Sequence, residues 1–464
     1  MLFNSLHFLI FFPIVVMVSF SITNFYYRKI FLLSASYYFY AVWSIPFVSL
    51  LIASSVFGYG TARLIERSAD RTVQRLILAL NIAVNLGILF FFKYVDFLSL
   101  SIGGLVGFPP WPVLGLVLPL GISFYTFQSM SYTIDVYRGK CKAEKSALDV
   151  SLYVAFFPQL VAGPIMRATE FLPQLARPTA VNFERITGGI LLICVGLTKK
   201  VFIADPLGGF VDEIYGAYET YGWSALVIAT YAFALQIYFD FSAYTDIAIG
   251  SAAILGFRLM ENFRAPYLAT SLREFWRRWH ISLSTWLRDY LYVSLGGSRH
   301  GELRTYAALM ATMVLGGLWH GAAWTFVVWG VLHGSYLALE RVTGCASVDS
   351  HAMAPLERIV RTIITFNLVC LAWVFFRAET FDQAFGIIGR IVTLSDGQSA
   401  SAFPLLILAV LLIWQLGKER VRGLGIPLLL DSVIPARWII YSMLPLLMVA
   451  IGGATNPQFI YFQF

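Results

Sequence analysis

TYAALMATMVLGGLWHGAAWTFVVWGVLHGSYLAL, residues 305–339, contains no Lys, Arg, Asp or Glu and carries His320 near its middle. A run this long and apolar reads as a membrane span, because about 20 residues cross the hydrocarbon core. An ionisable side chain inside it is costly unless it faces the protein interior or a wet cavity. His320 therefore requires a function there, and proton transfer within the membrane is the leading candidate. His333 lies in the same run. On an unbroken helix it would sit about 220° past whole turns and about 20 Å further along the axis. It then points away from His320, unless Gly321 or Gly330 breaks the helix.

The segment just before this run is the most polar of the chain. Between Arg258 and Arg304 there are eight arginines and four acids. Within it, residues 271–290 fit one helical period. Leu272, Phe275, Trp276, Trp279, Leu283, Trp286, Leu287 and Tyr290 fall on one stripe, and Arg273, Arg277, His280, Ser284 and Arg288 on another. Such a Trp- and Arg-rich amphipathic helix lies at a membrane interface or roofs a cavity there. His280 is the residue a plain anchor does not explain. Neighbouring arginines are expected to depress its pKa, and their guanidinium groups suit the phosphates of an anionic thioester.

The rest of the chain is built for lipid. Apolar residues make up 58% and charged residues 13% of its 464 positions, and mean hydropathy is +0.73, outside the range of ordinary soluble domains. No linker sets a soluble domain apart, so one integral-membrane domain over residues 1–464 is expected. Residues 97–134 lack charge but carry Gly103, Gly104, Gly107, Pro109, Pro110, Pro112, Pro119 and Gly121. Broken helix at membrane depth persists only when buried in protein or lining a cavity. The expectation is a polytopic all-α bundle of roughly ten to twelve spans with re-entrant and broken helices. Basic residues at 28–29, 63–75 and 138–145 recur every second crossing, which puts those loops in the cytoplasm and the N terminus outside. Cys141, Cys194, Cys345 and Cys370 have no paired or metal-like spacing, so free thiols and no metal are expected. Asp240 and Asp246 sit in an apolar segment. They read first as buried partners for the arginines of the next segment, and second as a proton pathway. Residues 157–167 read as a cavity-lining re-entrant turn, and His7, His300 and His351 as structural or solvated. No inverted repeat supports a transporter. Soluble-enzyme signatures are absent.

Taken together, these residues resemble a membrane-bound O-acyltransferase, of the bacterial branch that acetylates exported polysaccharides. Carrying the resemblance are Leu118–Tyr125, Ile134–Arg138, Ala162–Pro164, Lys199–Asp205, Tyr238–Ser242, Glu274–Tyr292, Gly316–Gly321 and Tyr461–Phe464. No signature occurs in residues 390–436. The resemblance implies a helical bundle around a central funnel, with His320 as the catalytic histidine and His280 as the second histidine of the same chamber. It also implies acetyl-CoA as a co-substrate with no tightly bound cofactor, and a multi-pass protein of the bacterial inner membrane. A periplasmic acetyltransferase or acceptor protein and polysaccharide machinery follow as partners, together with membrane lipid and no nucleic acid. Alginate stands first as polymer, with cellulose and peptidoglycan also compatible. The alternatives are a transporter or flippase of an acylated carrier, and a teichoic-acid D-alanylation type of acyltransferase.

Overall fold

A computed structural model describes residues 1–108, 110–177, 183–299, 301–344 and 353–423. Cys345, His300, His351 and the terminal Tyr461–Phe464 lie outside these. The described chain is helical, with no strand among the described residues. Five helical stretches are long and apolar enough to cross a membrane: Ile45–Arg67, Arg71–Lys93, Phe183–Gly216, Trp223–Ile254 and Pro355–Arg377. Shorter apolar helices at Leu6–Ser21, Val95–Val106 and Phe403–Gly417 accompany them. The chain is a polytopic all-α membrane protein in which broken helices stand beside full spans. Its described residues divide into two compact units, one built on Met1–Leu197 with Tyr244–Met260, the other on Thr198–Ala243 with the described residues between Glu261 and Gly423.

In the first unit, Ser5 and Asn24 accept from backbone amides of the opening turns and so cap the first two helices. Lys29, expected in a cytoplasmic loop, is instead buried, with its ammonium 2.6 Å from Asp149 Oδ1. Arg28 likewise donates to the Leu255 carbonyl, at 2.8 Å. The Gly/Pro-rich stretch ends at Gly121, whose φ is +71° and where a Cβ would sit 2.6 Å from the Leu160 oxygen. Only glycine meets both conditions. From there Ile122–Tyr137 runs as a helix buried along almost its whole length. The expected broken turn at 157–167 is present as one short helix, Phe157–Leu160, followed by irregular chain, all of it buried.

The second unit opens on a π-helical turn, Lys199–Ala204, which joins two α-helical stretches. Lys200 reaches from it to Asp205 at 2.7 Å and to Asp240 at 2.8 Å. Asp240 is thus paired by a lysine from the segment before it, where an arginine from the segment after it was expected. Two segments that read as single helices are each broken. Residues 305–339 are not one span. They belong to two helices, Glu302–His320 and Trp324–Thr343, joined at Gly321–Ala323 and packed as a hairpin. Residues 271–290 divide into Leu272–Arg278 and Ile281–Trp286, continued by a π-helical turn, Leu287–Tyr292. Both breaks fall at a histidine.

Candidate active site

The first break begins with Trp279 in extended conformation and His280 in the left-handed region, at φ 41° and ψ 55°. For a residue with a Cβ this conformation costs roughly 1–2 kcal/mol, and such strain gathers at functional sites. Neighbouring backbone holds it in place. The Asn262 carbonyl accepts from Ile281 N at 3.0 Å, and Asn262 Oδ1 from Ser282 N at 3.1 Å. These satisfy amides that a helix start leaves without a partner. A further backbone bond, Arg264 N to the Arg278 carbonyl at 2.9 Å, pins the other side of the break.

The consequence is a change of face. On one continuous helix His280 would share the polar stripe with Arg273, Arg277, Ser284 and Arg288. In the structure those four line a common cavity of about 740 Å³, and His280 does not. Its imidazole is fully buried instead, 4.6 Å edge-on to the Phe241 ring and 6.1 Å from Trp319. Burial lowers its pKa to about 3, by desolvating the charged form. The arginines expected to cause that shift line the cavity wall instead. The arginines are thus collected as the period predicts, and the histidine is turned out of the set.

The second break places His320. Gly317 and Gly330 let the two helices of the hairpin approach backbone to backbone. A Cβ at Gly317 would lie 2.2 Å from the Phe326 oxygen, and one at Gly330 2.5 Å from the Met313 oxygen. Small residues do this at close helix contacts in membranes. At Gly321 a Cβ would lie 2.0 Å from the Phe326 ring, so the turn needs glycine there too. His320 is consequently the last residue of its helix, not the midpoint of a span. Its ring is buried among Trp319 at 5.0 Å, Trp329 at 5.2 Å and Phe376 at 5.3 Å. The Trp319 indole thus touches both histidines. The break at Gly321 also satisfies the condition under which His333 approaches the site, since its ring packs at 4.7 Å on the Trp329 indole that borders His320.

Sequence reasoning missed the aromatic walls (Trp319, Trp329 and Phe376), since Trp and Phe on apolar helices look like ordinary packing. It also missed Asn262, Arg341 and Glu340. Arg341 and Glu340 line the cavity beside Arg273, Arg277 and Arg288. Both oxygens of Glu340 accept from backbone amides, those of Leu272 and Arg273, where the helix of the first two arginines starts. The cavity thus opposes four guanidinium groups with one carboxylate already engaged, a balance suited to a ligand with several negative charges. Among the described residues no three of His, Cys, Asp and Glu converge as a metal ion would require.

Residues 143–379 match the membrane-bound O-acyltransferase family. The chain is 43% identical over 398 residues to a probable alginate O-acetylase of Azotobacter vinelandii, covering 84% of this chain and 78% of the relative. It is 37% identical to a peptidoglycan O-acetyltransferase of Helicobacter pylori, covering 79% and 74%. With a teichoic acid D-alanyltransferase of Bacillus subtilis the identity is 26%, covering 59% and 72%.

Proposed function

The chain belongs to the membrane-bound O-acyltransferase family, and from that membership we propose that it transfers an acetyl group from a thioester donor to a hydroxyl acceptor, for O-acetylation of an exported or envelope polysaccharide. Alginate stands first as polymer and peptidoglycan second, in keeping with the names of the relatives. An acetyl group is preferred to D-alanyl because the D-alanyltransferase relative is the more distant. The single observation that carries the reading is the pairing of a buried histidine at a helix end with an arginine-lined cavity in the same unit.

In the proposed reaction the donor is acetyl-CoA, with its phosphates on Arg273, Arg277, Arg288 and Arg341. His320 accepts the proton of the acceptor hydroxyl as its oxygen attacks the thioester carbonyl. The carbon–sulfur bond then breaks, and the proton passes to the departing thiolate. A general base in this place contributes about 100- to 10,000-fold. A second histidine of such a chamber can orient the thioester or stabilise the oxyanion. The enclosure of His280 favours a stricter form of that role, as a positioning residue acting through the Trp319 indole it shares with His320. The setting is the bacterial inner membrane, and the acceptor is a hydroxyl on a periplasmic partner that then modifies the polymer.

The test separates bond formation from movement. Purified protein in sealed proteoliposomes is supplied with acetyl-CoA labelled in the acetyl group on one side and the acceptor on the other. Acetylated acceptor with free CoA left on the donor side supports the reading. Passage of an intact acylated carrier with no new acetyl ester would replace it with a transporter.

A further inference from the structure

We propose that Trp276, Trp329, His333 and Tyr336 form a polar subsite for the amide-bearing arm of the thioester donor, between the arginine cavity and His320. The inference rests on the donor reading above and adds to it the residues that would recognise the arm.

Four side chains in one cluster bury polar atoms that find no hydrogen-bond partner among the described residues. They are both ring nitrogens of His333, the indole nitrogens of Trp276 and Trp329, and the Tyr336 hydroxyl. The other three rings lie around His333, with centroids at 5.2 Å for Trp276, 4.7 Å for Trp329 and 6.1 Å for Tyr336. A buried polar atom left unmet costs about 1–3 kcal/mol. Buried polar atoms are ordinarily hydrogen-bonded, and five of those left unmet among the described residues lie together in this one cluster, as a site for a polar ligand requires.

Position indicates which partner. Trp276 forms part of the cavity wall beside Arg273 and Arg277. Its ring meets Trp329 at 5.7 Å, and Trp329 meets His320 at 5.2 Å. A donor with its phosphates in the cavity and its thioester at His320 must lay the connecting arm along this row. In coenzyme A that arm is pantetheine, which carries two amides. Indole nitrogens only donate and match amide carbonyls, while the imidazole and hydroxyl can also accept from amide N–H groups. His333 is fully buried, and the cavity-lining ring packed on it is that of Trp276. The subsite is specific for an arm with amides and indifferent to the nucleotide end.

The experiment compares CoA with adenosine 3′,5′-bisphosphate, which keeps phosphates and lacks the arm, by calorimetric binding to the full chain in nanodiscs. The Trp329→Phe/Tyr336→Phe double variant deletes an indole N–H and one hydroxyl, both outside the cavity lining, while keeping aromatic rings. We expect it to bind CoA about tenfold more weakly and the bisphosphate as wild type does, which also shows it folded. Unchanged CoA binding overturns the proposal, and so does an equal loss for both ligands. Failure of the donor reading looks different: wild type then binds neither ligand, or Arg273→Gln/Arg277→Gln leaves both affinities intact. Either result removes the subsite with it.

Discussion

Segments 271–292 and 302–343 invite comparison. Each reads as one helix, each is broken at a histidine, and the two breaks have different causes. At His280 the break is held by hydrogen bonds from outside the segment, chiefly from Asn262, and the histidine itself takes the strained left-handed conformation. After His320 the break is held by packing, because Gly317, Gly321 and Gly330 make contacts that any Cβ would obstruct. The difference teaches where each region is vulnerable. The first depends on what His280's backbone tolerates, the second on what its glycines lack.

The largest expected effect tests the packing half. Gly317→Leu places carbon against the Phe326 carbonyl and should abolish the native hairpin, with a loss above about 3 kcal/mol. Thermal unfolding in detergent, followed by size-exclusion chromatography, reads it. A variant that melts like wild type would show the two helices to be less closely packed than described.

Next comes the strain half. Asn tolerates the left-handed region and Val does not. His280→Asn should fold normally and lose about 10- to 100-fold in acetyl transfer. His280→Val should lose a further 1–3 kcal/mol or so in stability. Equal melting of the two variants would break the claimed contrast between the regions.

A smaller effect concerns the stripe from which His280 is withdrawn. Arg273→Gln/Arg277→Gln should raise the donor KM about tenfold with kcat nearly unchanged, since phosphate contacts hold ground and transition states alike. A fall in kcat alone would move those arginines to the reaction centre.

The smallest effect is on pH dependence. His280 has its pKa lowered to about 3 by burial, against about 6.5 in an unfolded chain. Its neutral burial therefore gives full stability above about pH 6.5, and that stability is lost as pH falls toward 3. Between pH 6.5 and 5.5 the wild-type melting midpoint should drop about 1 °C more than that of His280→Asn. Parallel slopes would place the imidazole in a wetter setting.

The comparison also shows what could be read from the sequence. Composition and apolar runs suffice for a polytopic helical protein, and helical periodicity correctly groups Arg273, Arg277, Ser284 and Arg288 into one cavity. Periodicity is blind to the breaks, because Trp279, His280 and His320 are all compatible with a continuing helix. Only the partner that captures an amide, or the neighbour that requires a glycine, decides otherwise, and both are tertiary. Gly321 was the visible clue, since the relation of His333 to His320 hinged on it. Lys29 shows the same limit for charge. The count of basic residues placed it in a loop, while Asp149, 120 residues away in sequence, draws it into the core. Trp319, Trp329 and Phe376 carried no signal that separates packing around a buried histidine from lipid-facing bulk.

The measurement that bears most directly on the whole account is single-turnover acetyl transfer by His320→Ala in nanodiscs, with labelled acetyl-CoA and the periplasmic acceptor. The donor affinity should match wild type while the transfer rate falls at least about 100-fold. Wild-type transfer by that variant would contradict the assignment of His320, and with it the site built around the second break.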